Sequence, residues 1–352
     1  MSGEDFELVI DHKIDQAITL KLRGTLNIPD HACFVGMWAK IAEEHPETII
    51  IDLGQLRGVT SVGLNQMMMF LVRLQSKGIQ VRLASVPDEM WSLMKLTHMD
   101  DLLMMKDERP ALKTYAGWAA PVDRIDFEAH PPDMINLNFH KRSPTSPHQG
   151  FGRLWLRRYR IRIPLSIIGA DALMERWRSS FGSYWPSGNR IYFDRDLKPG
   201  AQALINLRLP GGLRLATGAV VSYVSERSFA LMTVQGHMFS GWITFCCSET
   251  DEDTIAEVQA LVRPGDPLYE LSFRLGFGPN SEDAFWMQTL ETLALTVNAQ
   301  FPVKKDAVLI DRRLQWTRFF NLIHNAGISS SLYLILTPLR LVRKLFKKER
   351  KI

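Results

Sequence analysis

Over the first hundred residues, apolar runs with the two-residue period of a strand alternate with runs of helical period. That alternation confines the chain to a layered α/β arrangement. Ile18, Leu20 and Leu22 share one strand face, Thr19, Lys21 and Arg23 share the other, and Gly24 ends the run. Asp30 is placed to cap a helix that carries Phe34, Met37, Trp38 and Ile41. Ile49, Ile50 and Ile51 form a run too short for a helix and suited to a strand buried on both faces. After a loop from Gly58 to Gly63, Leu64, Met68, Leu71 and Leu74 recur at helical spacing, and Lys77-Gly78 closes that helix. Ile79, Val81 and Leu83 alternate again, and Pro87-Asp88 opens a helix through Trp91, Met94 and Lys95. Parallel strands need crossover helices, so residues 1–112 are expected to form one α/β domain.

The run from Ile49 to Leu103 resembles a STAS domain, the fold of anti-sigma-factor antagonists, and the resemblance extends over about residues 6–110. It rests on the strand ending in Asp52, on Ser61-x-Gly63-Leu64 at the next helix start, on the Lys77-Gly78 turn, and on Met99-Asp-Asp-Leu-Leu103 after the closing helix. In that family the loop reads Asp-Ser-x-Gly and its serine accepts phosphate. Here Thr60 stands in the Asp position, and Ser61, or Thr60, is the phosphoacceptor candidate. A hydroxyl at a helix N-terminus sits where backbone N–H groups favour added negative charge, and a phosphate adds roughly −1.5 to −2. The simpler role for either residue is to cap the helix. The resemblance implies a protein partner, an anti-sigma-type kinase or a transporter ATPase.

Residues 113–150 lose periodicity and are punctuated by Pro121, Pro131, Pro132, Pro144 and Pro147, as a linker would be. Beyond Arg153, Tyr159, Ile161, Ile163 and Leu165 alternate with Arg158, Arg160 and Arg162, giving one apolar and one guanidinium face. A helix over Ala170–Tyr184 follows, then strands around 203–209, 219–224, 229–234, 243–247, 254–262 and 269–273. A long helix is expected to start near Ser281-Glu282-Asp283, with the serine as cap. This order is an α+β arrangement, so the whole chain reads as α/β plus α+β.

The stretches MTVQGHMFSGWITF and VQALVRPGDPLYELSFRLGFG, within residues 151–303, resemble the SRPBCC superfamily, the helix-grip fold of START-like and polyketide-cyclase-like proteins. That resemblance implies a cavity for an apolar ligand or lipid between the sheet and the long helix. Trp177, His237, Trp286 and Leu290 are the ligand-pocket candidates. The bland reading makes the two tryptophans core residues. It makes His237 a structural residue at a strand bend permitted by Gly236 and Gly241. Arg158 and Arg162 also match the Arg-x-x-x-Arg that opens PilZ domains, but the Asp/Asn-x-Ser-x-x-Gly those domains need is missing.

Other chemistry is sparsely indicated. There is no Gly-x-Ser-x-Gly, no phosphate-cradling Gly-x-x-x-x-Gly-Lys-Ser/Thr and no His-Glu-x-x-His, so no catalytic residue, cofactor or metal ligand is assigned. Cys33, Cys246 and Cys247 contain no Cys-x-x-Cys and make no disulfide framework. A binding role is therefore favoured over an enzyme. The enzymatic alternative is a cyclase or hydratase using His237.

The net charge of +4 conceals a polarity: residues 1–110 carry −5, whereas Arg340–Ile352 carries +6. The opening Met-Ser-Gly-Glu-Asp lacks the order of a signal peptide, which suits an intracellular protein. Phe319–Leu339 holds no Asp, Glu, Lys or Arg over 21 residues, but Asn321, His324, Asn325 and three serines dilute it. Residues 304–352 are thus expected to associate with a membrane surface rather than span it. Arg343, Lys344, Lys347, Lys348 and Lys351 would lie near anionic headgroups. Nucleic acid is not expected as a partner. The combined expectation is a regulatory or adaptor protein, cytoplasmic and peripheral on the inner membrane face. A transporter-associated adaptor in lipid trafficking is one variant of that reading.

Overall fold

The computed structural model describes residues 6–14, 16–27, 31–103, 116–125, 130–208 and 214–336. Asp30 and the basic stretch 340–352 lie outside them. The first unit runs β1 (Glu7–Ile14), β2 (Ala17–Leu26), α1 (His31–Glu44), β3 (Thr48–Val59), α2 (Ser61–Ser76), β4 (Gln80–Ala84), α3 (Asp88–Leu96) and α4 (Met99–Leu102). Its sheet has the order β1-β2-β3-β4, antiparallel at the first pairing and parallel at the next two. Ile49, Ile51 and Leu53 face the core with Met68 and Leu71 of α2. Ile50 is only half-buried, so β3 buries one face fully rather than two.

The second unit runs β5 (Leu154–Pro164), α5 (Ala170–Ser179), β6 (Arg190–Phe193), β7 (Gln202–Arg208), β8 (Arg214–Val224), β9 (Ser228–Thr233), β10 (Phe239–Glu249), β11 (Asp253–Pro264), α6 (Pro267–Arg274), α7 (Phe277–Leu295) and β12 (Lys304–Asp311). Its eight strands pair antiparallel in the order β12-β5-β11-β10-β9-β8-β7-β6. The first strand of this unit therefore closes beside the last strand before the long helix, and α7 packs on the inner face of the sheet. This is a helix-grip architecture.

Three expectations are corrected here. Residues 269–273 lie in α6, because Asp266 accepts hydrogen bonds from the Leu268 and Tyr269 N–H groups and Pro267 stands at the first helical position. Helix α7 starts at Phe277 after Gly276 in a left-handed conformation (φ +85°), so Ser281 is inside the helix and not its N-cap. Residues 304–311, expected to belong to a membrane segment, instead extend the sheet as β12 against β5.

The proline-rich stretch ahead of β5 has little regular structure, yet it is packed. Ile125, Met134 and Phe139 form a small core with Leu204, Val220 and Val234. Trp118 stacks obliquely on Tyr223 and donates from Nε1 to the Val59 carbonyl at 2.8 Å. This strap carries the chain from the first unit across the outer face of the second.

Candidate functional site

At the start of α2, Thr60 is the cap: its Oγ1 accepts from the Gly63 N–H at 3.1 Å and donates to the Leu26 carbonyl. Gly63 is required there, since a Cβ would lie 2.2 Å from the Leu26 carbonyl oxygen. Ser61 is 1% exposed, and its Oγ has no hydrogen-bond partner. The reason lies outside the first unit. Helix α2 packs against the outer face of the grip sheet, where Leu156, Ala230, Met232, Trp242 and Leu261 join the core of the first unit in one apolar cluster. Asn65 sits inside this contact. Its Nδ2 donates to Gln259 Oε1 at 3.1 Å, and its Oδ1 accepts from Trp242 Nε1. Ser61, one helical turn before Asn65, is closed to solvent in this arrangement.

The grip interior is the second candidate. Trp177 and Leu290 are fully buried and Trp286 nearly so. Rings of Trp177, Phe181, Trp185, Phe229, Phe245 and Trp286 interlock edge to face at 4.8–6.4 Å, with Phe229 and Phe245 stacked at 4.7 Å, between the sheet and α7. One end of this interior is polar. Arg157 on β5 reaches Glu282 at 3.2 Å and Asp283 on α7, while the Tyr159 hydroxyl donates to Asp283 at 2.9 Å. Burial pushes the Glu282 carboxyl up to about 7, against the attraction of Arg157. Glu282 and Asp283, expected at the start of the long helix, lie inside it. They are the internal counter-ions of Arg157.

His237 is brought together with none of the other pocket candidates. It lies in the turn between β9 and β10, where Gly236 (φ +89°) would drive a Cβ to 2.1 Å from the His324 carbonyl oxygen. Gly241 (φ +145°) would place one 2.2 Å from the Leu261 carbonyl oxygen. The two glycines therefore admit backbone from the carboxy-terminal segment and from β11, which explains the Gly-His-x-x-x-Gly pattern sterically. His237 lines a polar cavity of about 300 Å³ where the first unit, the strap, this turn and the carboxy-terminal segment meet. Burial lowers its imidazole to about 4, so it is neutral at pH 7. A second cavity of similar volume is lined by Arg160, Arg162 and Lys304 with Phe301 and Pro302. Among the described residues no group of three or more His, Cys, Asp or Glu side chains is placed to hold a metal ion.

The carboxy-terminal segment is the third candidate. Residues 316–324 form a 3-10 helix and residues 326–336 an α-helix, α8. Together, Trp316–Leu336 is long and apolar enough to cross a membrane by length and composition. Its polar residues face the protein. Asn321 Nδ2 donates to the Gln149 and Gly265 carbonyls, Asn325 Nδ2 to Asp266 at 2.7 Å, and Ser330 Oγ accepts from Asn138 and from the Ala216 N–H. Its apolar residues face outward: Phe320 is 75% and Ile323 74% exposed, and Trp316, Phe319, Leu332 and Ile335 are exposed as well. Leu268, Leu271 and Leu275 of the adjoining α6 region are also exposed. The candidate headgroup contacts Arg343, Lys344, Lys347, Lys348 and Lys351 lie outside the described residues.

Residues 11–105 match the family model described as "Mlab, STAS domain". No curated protein matches the chain. Among solved structures, protein Ms6760 from Mycobacterium smegmatis aligns at 12% identity over 41% of this chain and 90% of its own, with a TM-score of 0.31. Protein NE0264 from Nitrosomonas europaea aligns at 15% identity over 39% and 90%, with a TM-score of 0.28. The di-domain ARO/CYC StfQ from the steffimycin biosynthetic pathway aligns at 11% identity over 41% and 51%, with a TM-score of 0.32. Residues 11–105 are thus similar to a STAS domain, and the unit that follows has the strand order and long helix of a helix grip in its own right.

Proposed function

We propose that this protein is a membrane-peripheral adaptor that holds a STAS domain at the cytoplasmic face of an anionic bilayer. The observation that carries the reading is the inverted amphipathicity of Trp316–Leu336: hydrogen-bonding side chains clasp the protein while a contiguous apolar face is left to solvent. Exposed apolar patches of this extent on soluble proteins mark interaction surfaces. A bilayer surface is the occupant that suits this one, because the sequence continues directly into seven basic residues and one acid.

The helix-grip domain serves in this reading as the seat of the STAS domain. Its interior is lined with aromatic rings that suit an apolar ligand, and His237 lies outside that interior, so a cyclase or hydratase would have to use other residues. The partner belongs on the part of the STAS surface that the grip sheet leaves open. The protein classes implied by the family resemblance, an anti-sigma-type kinase or a transporter ATPase, are the candidates. A phosphoswitch at Ser61 acts, in this scheme, only on the undocked STAS domain.

Flotation of the full chain with vesicles tests the reading. The protein should float with phosphatidylcholine vesicles containing phosphatidylglycerol and remain in the dense fraction with phosphatidylcholine alone at moderate salt. Failure to float with either vesicle sinks it.

A further inference from the structure

We propose that the polar cavity at the junction of the two domains binds a phosphate monoester, held by Arg318, His237 and Ser240. The cavity is built where five separate parts of the chain converge, and these three side chains come from two of them, the β9–β10 turn with the start of β10 and the carboxy-terminal segment. Among the described residues, the Ser240 hydroxyl and the Arg318 guanidinium have no partner within the protein.

Ser240 is 5% exposed, lines the cavity, and has no hydrogen-bond partner for its hydroxyl among the described residues. His237 is 8% exposed. Its Nδ1 lies 3.0 Å from the Phe239 N and 3.1 Å from the Phe239 carbonyl oxygen; in the tautomer that accepts from the N–H, the ring proton is on Nε2. Arg318 is half-buried and forms no ion pair among the described residues. Three donors, one of them a permanent cation, match the three peripheral oxygens of a phosphate monoester, and a guanidinium binds such oxygens in pairs.

Two carboxylates also line the cavity. Asp266 Oδ1 accepts from the Leu268 and Tyr269 N–H groups and Oδ2 accepts from Asn325, so both oxygens have partners within the protein. Asp101, the other lining carboxylate, is exposed. A volume of about 300 Å³ accommodates a phosphate with a short carbon skeleton.

The phosphate has two possible sources, a soluble monoester or a lipid headgroup. Arg318 stands between Trp316 and Phe319, both on the exposed apolar face, so the cavity adjoins the surface assigned above to the bilayer. Only the lipid source rests on the membrane reading.

The experiment uses the full chain with two probes. Glycerol 3-phosphate is titrated calorimetrically, with glycerol as the phosphate-free control. Phosphatidylcholine vesicles carrying phosphatidic acid, or phosphatidylserine at matched negative charge, are used for co-sedimentation. A soluble source predicts saturable binding of glycerol 3-phosphate but not glycerol. A lipid source predicts preference for phosphatidic acid over phosphatidylserine. In either arm Arg318→Gln should weaken binding at least about tenfold, and Ser240→Ala by a smaller factor. Near-ultraviolet circular dichroism confirms the fold of both variants, and Ser240→Ala keeps the test open if Arg318→Gln disturbs the segment. The proposal is overturned if neither probe distinguishes the wild type from both variants. Loss of all vesicle binding with retained glycerol 3-phosphate binding would instead remove the membrane reading and leave the cavity assignment standing.

Discussion

Helix α2 and the segment Trp316–Leu336 are both apolar, and they meet opposite fates. Of the 16 residues of α2, 13 are buried, because the STAS sheet lies on one side of the helix and the outer face of the grip sheet on the other. In the carboxy-terminal segment only 17% of the apolar window is buried, and what is buried is its polar side. An all-round apolar helix requires cover all round. The chain supplies that cover twice for α2 and once for the segment. Hydropathy reports that an apolar face exists; whether the molecule itself covers it depends on what the fold brings opposite.

The largest expected effect tests the base of the uncovered segment. Arg263 is fully buried. It donates to Asp311 at 2.7 Å, to the Gly152 carbonyl, and to the Arg313 carbonyl just ahead of Trp316. Arg263→Met leaves Asp311 buried without this partner and should cost about 3–5 kcal/mol in urea unfolding. Unchanged stability together with unchanged vesicle binding would show that the pair seats nothing.

Charges on the outward face should act in the reverse manner. Phe320→Glu with Ile323→Glu removes two side chains worth roughly 1.5–3 kcal/mol each on burial in an apolar phase. Vesicle partitioning should fall at least about a hundredfold, while stability in solution changes by less than about 0.5 kcal/mol. A large loss of stability would mean that the face is covered within the molecule.

The covered helix gives a smaller signal. Asn65→Ala removes the acceptor of Trp242 Nε1 and the donor to Gln259. It should destabilise by about 1–3 kcal/mol and speed amide exchange in α2. Unchanged exchange in α2 would contradict a docked interface.

The smallest effect depends on pH. His148 lies in the strap, with Nδ1 against Ser146 Oγ at 2.6 Å and Nε2 without a partner. Burial, reinforced by His98, Arg318 and Arg263, lowers it to about 3, well below its unfolded value of 6.5. A depressed folded value means that stability is complete above pH 6.5 and is lost as the pH falls toward 4. Between pH 6 and 4.5 the wild type should lose about 1 kcal/mol per pH unit more than His148→Gln. Parallel stability curves for the two proteins would show that His148 titrates normally.

Much of the local structure was legible. The strand and helix of β3 and α2, the capping hydroxyl at Thr60, the inward Tyr159-Ile161-Ile163 face of β5 and the glycine-bounded bend around His237 all follow from short-range periodicity and backbone sterics. The start of α7 was misplaced because Ser281-Glu282-Asp283 satisfies the local rules for a helix start. What overrides it is Gly276, whose left-handed backbone separates α6 from a helix that already begins at Phe277. Strand β12 was missed because Lys304, Lys305 and Asp306 give it a polar beginning, and its pairing with β5 is a long-range fact. The cavity could not be read at all, since its lining comes from five separated stretches.

By itself the sequence determined the two folding units and their order, since periodicity and turn residues act within a few positions of one another. It also determined that an apolar, acid-free segment precedes a basic run. Only the tertiary structure decided that Ser61 lies in a domain interface and that His237 faces a junction rather than the grip interior. It alone turned Asn321, Asn325 and Ser330 inward. A buried polar group must find a partner wherever the fold offers one. For these three side chains the partners lie on the strap, the β8 backbone and the β11–α6 turn, and meeting them leaves the apolar residues of the segment facing out.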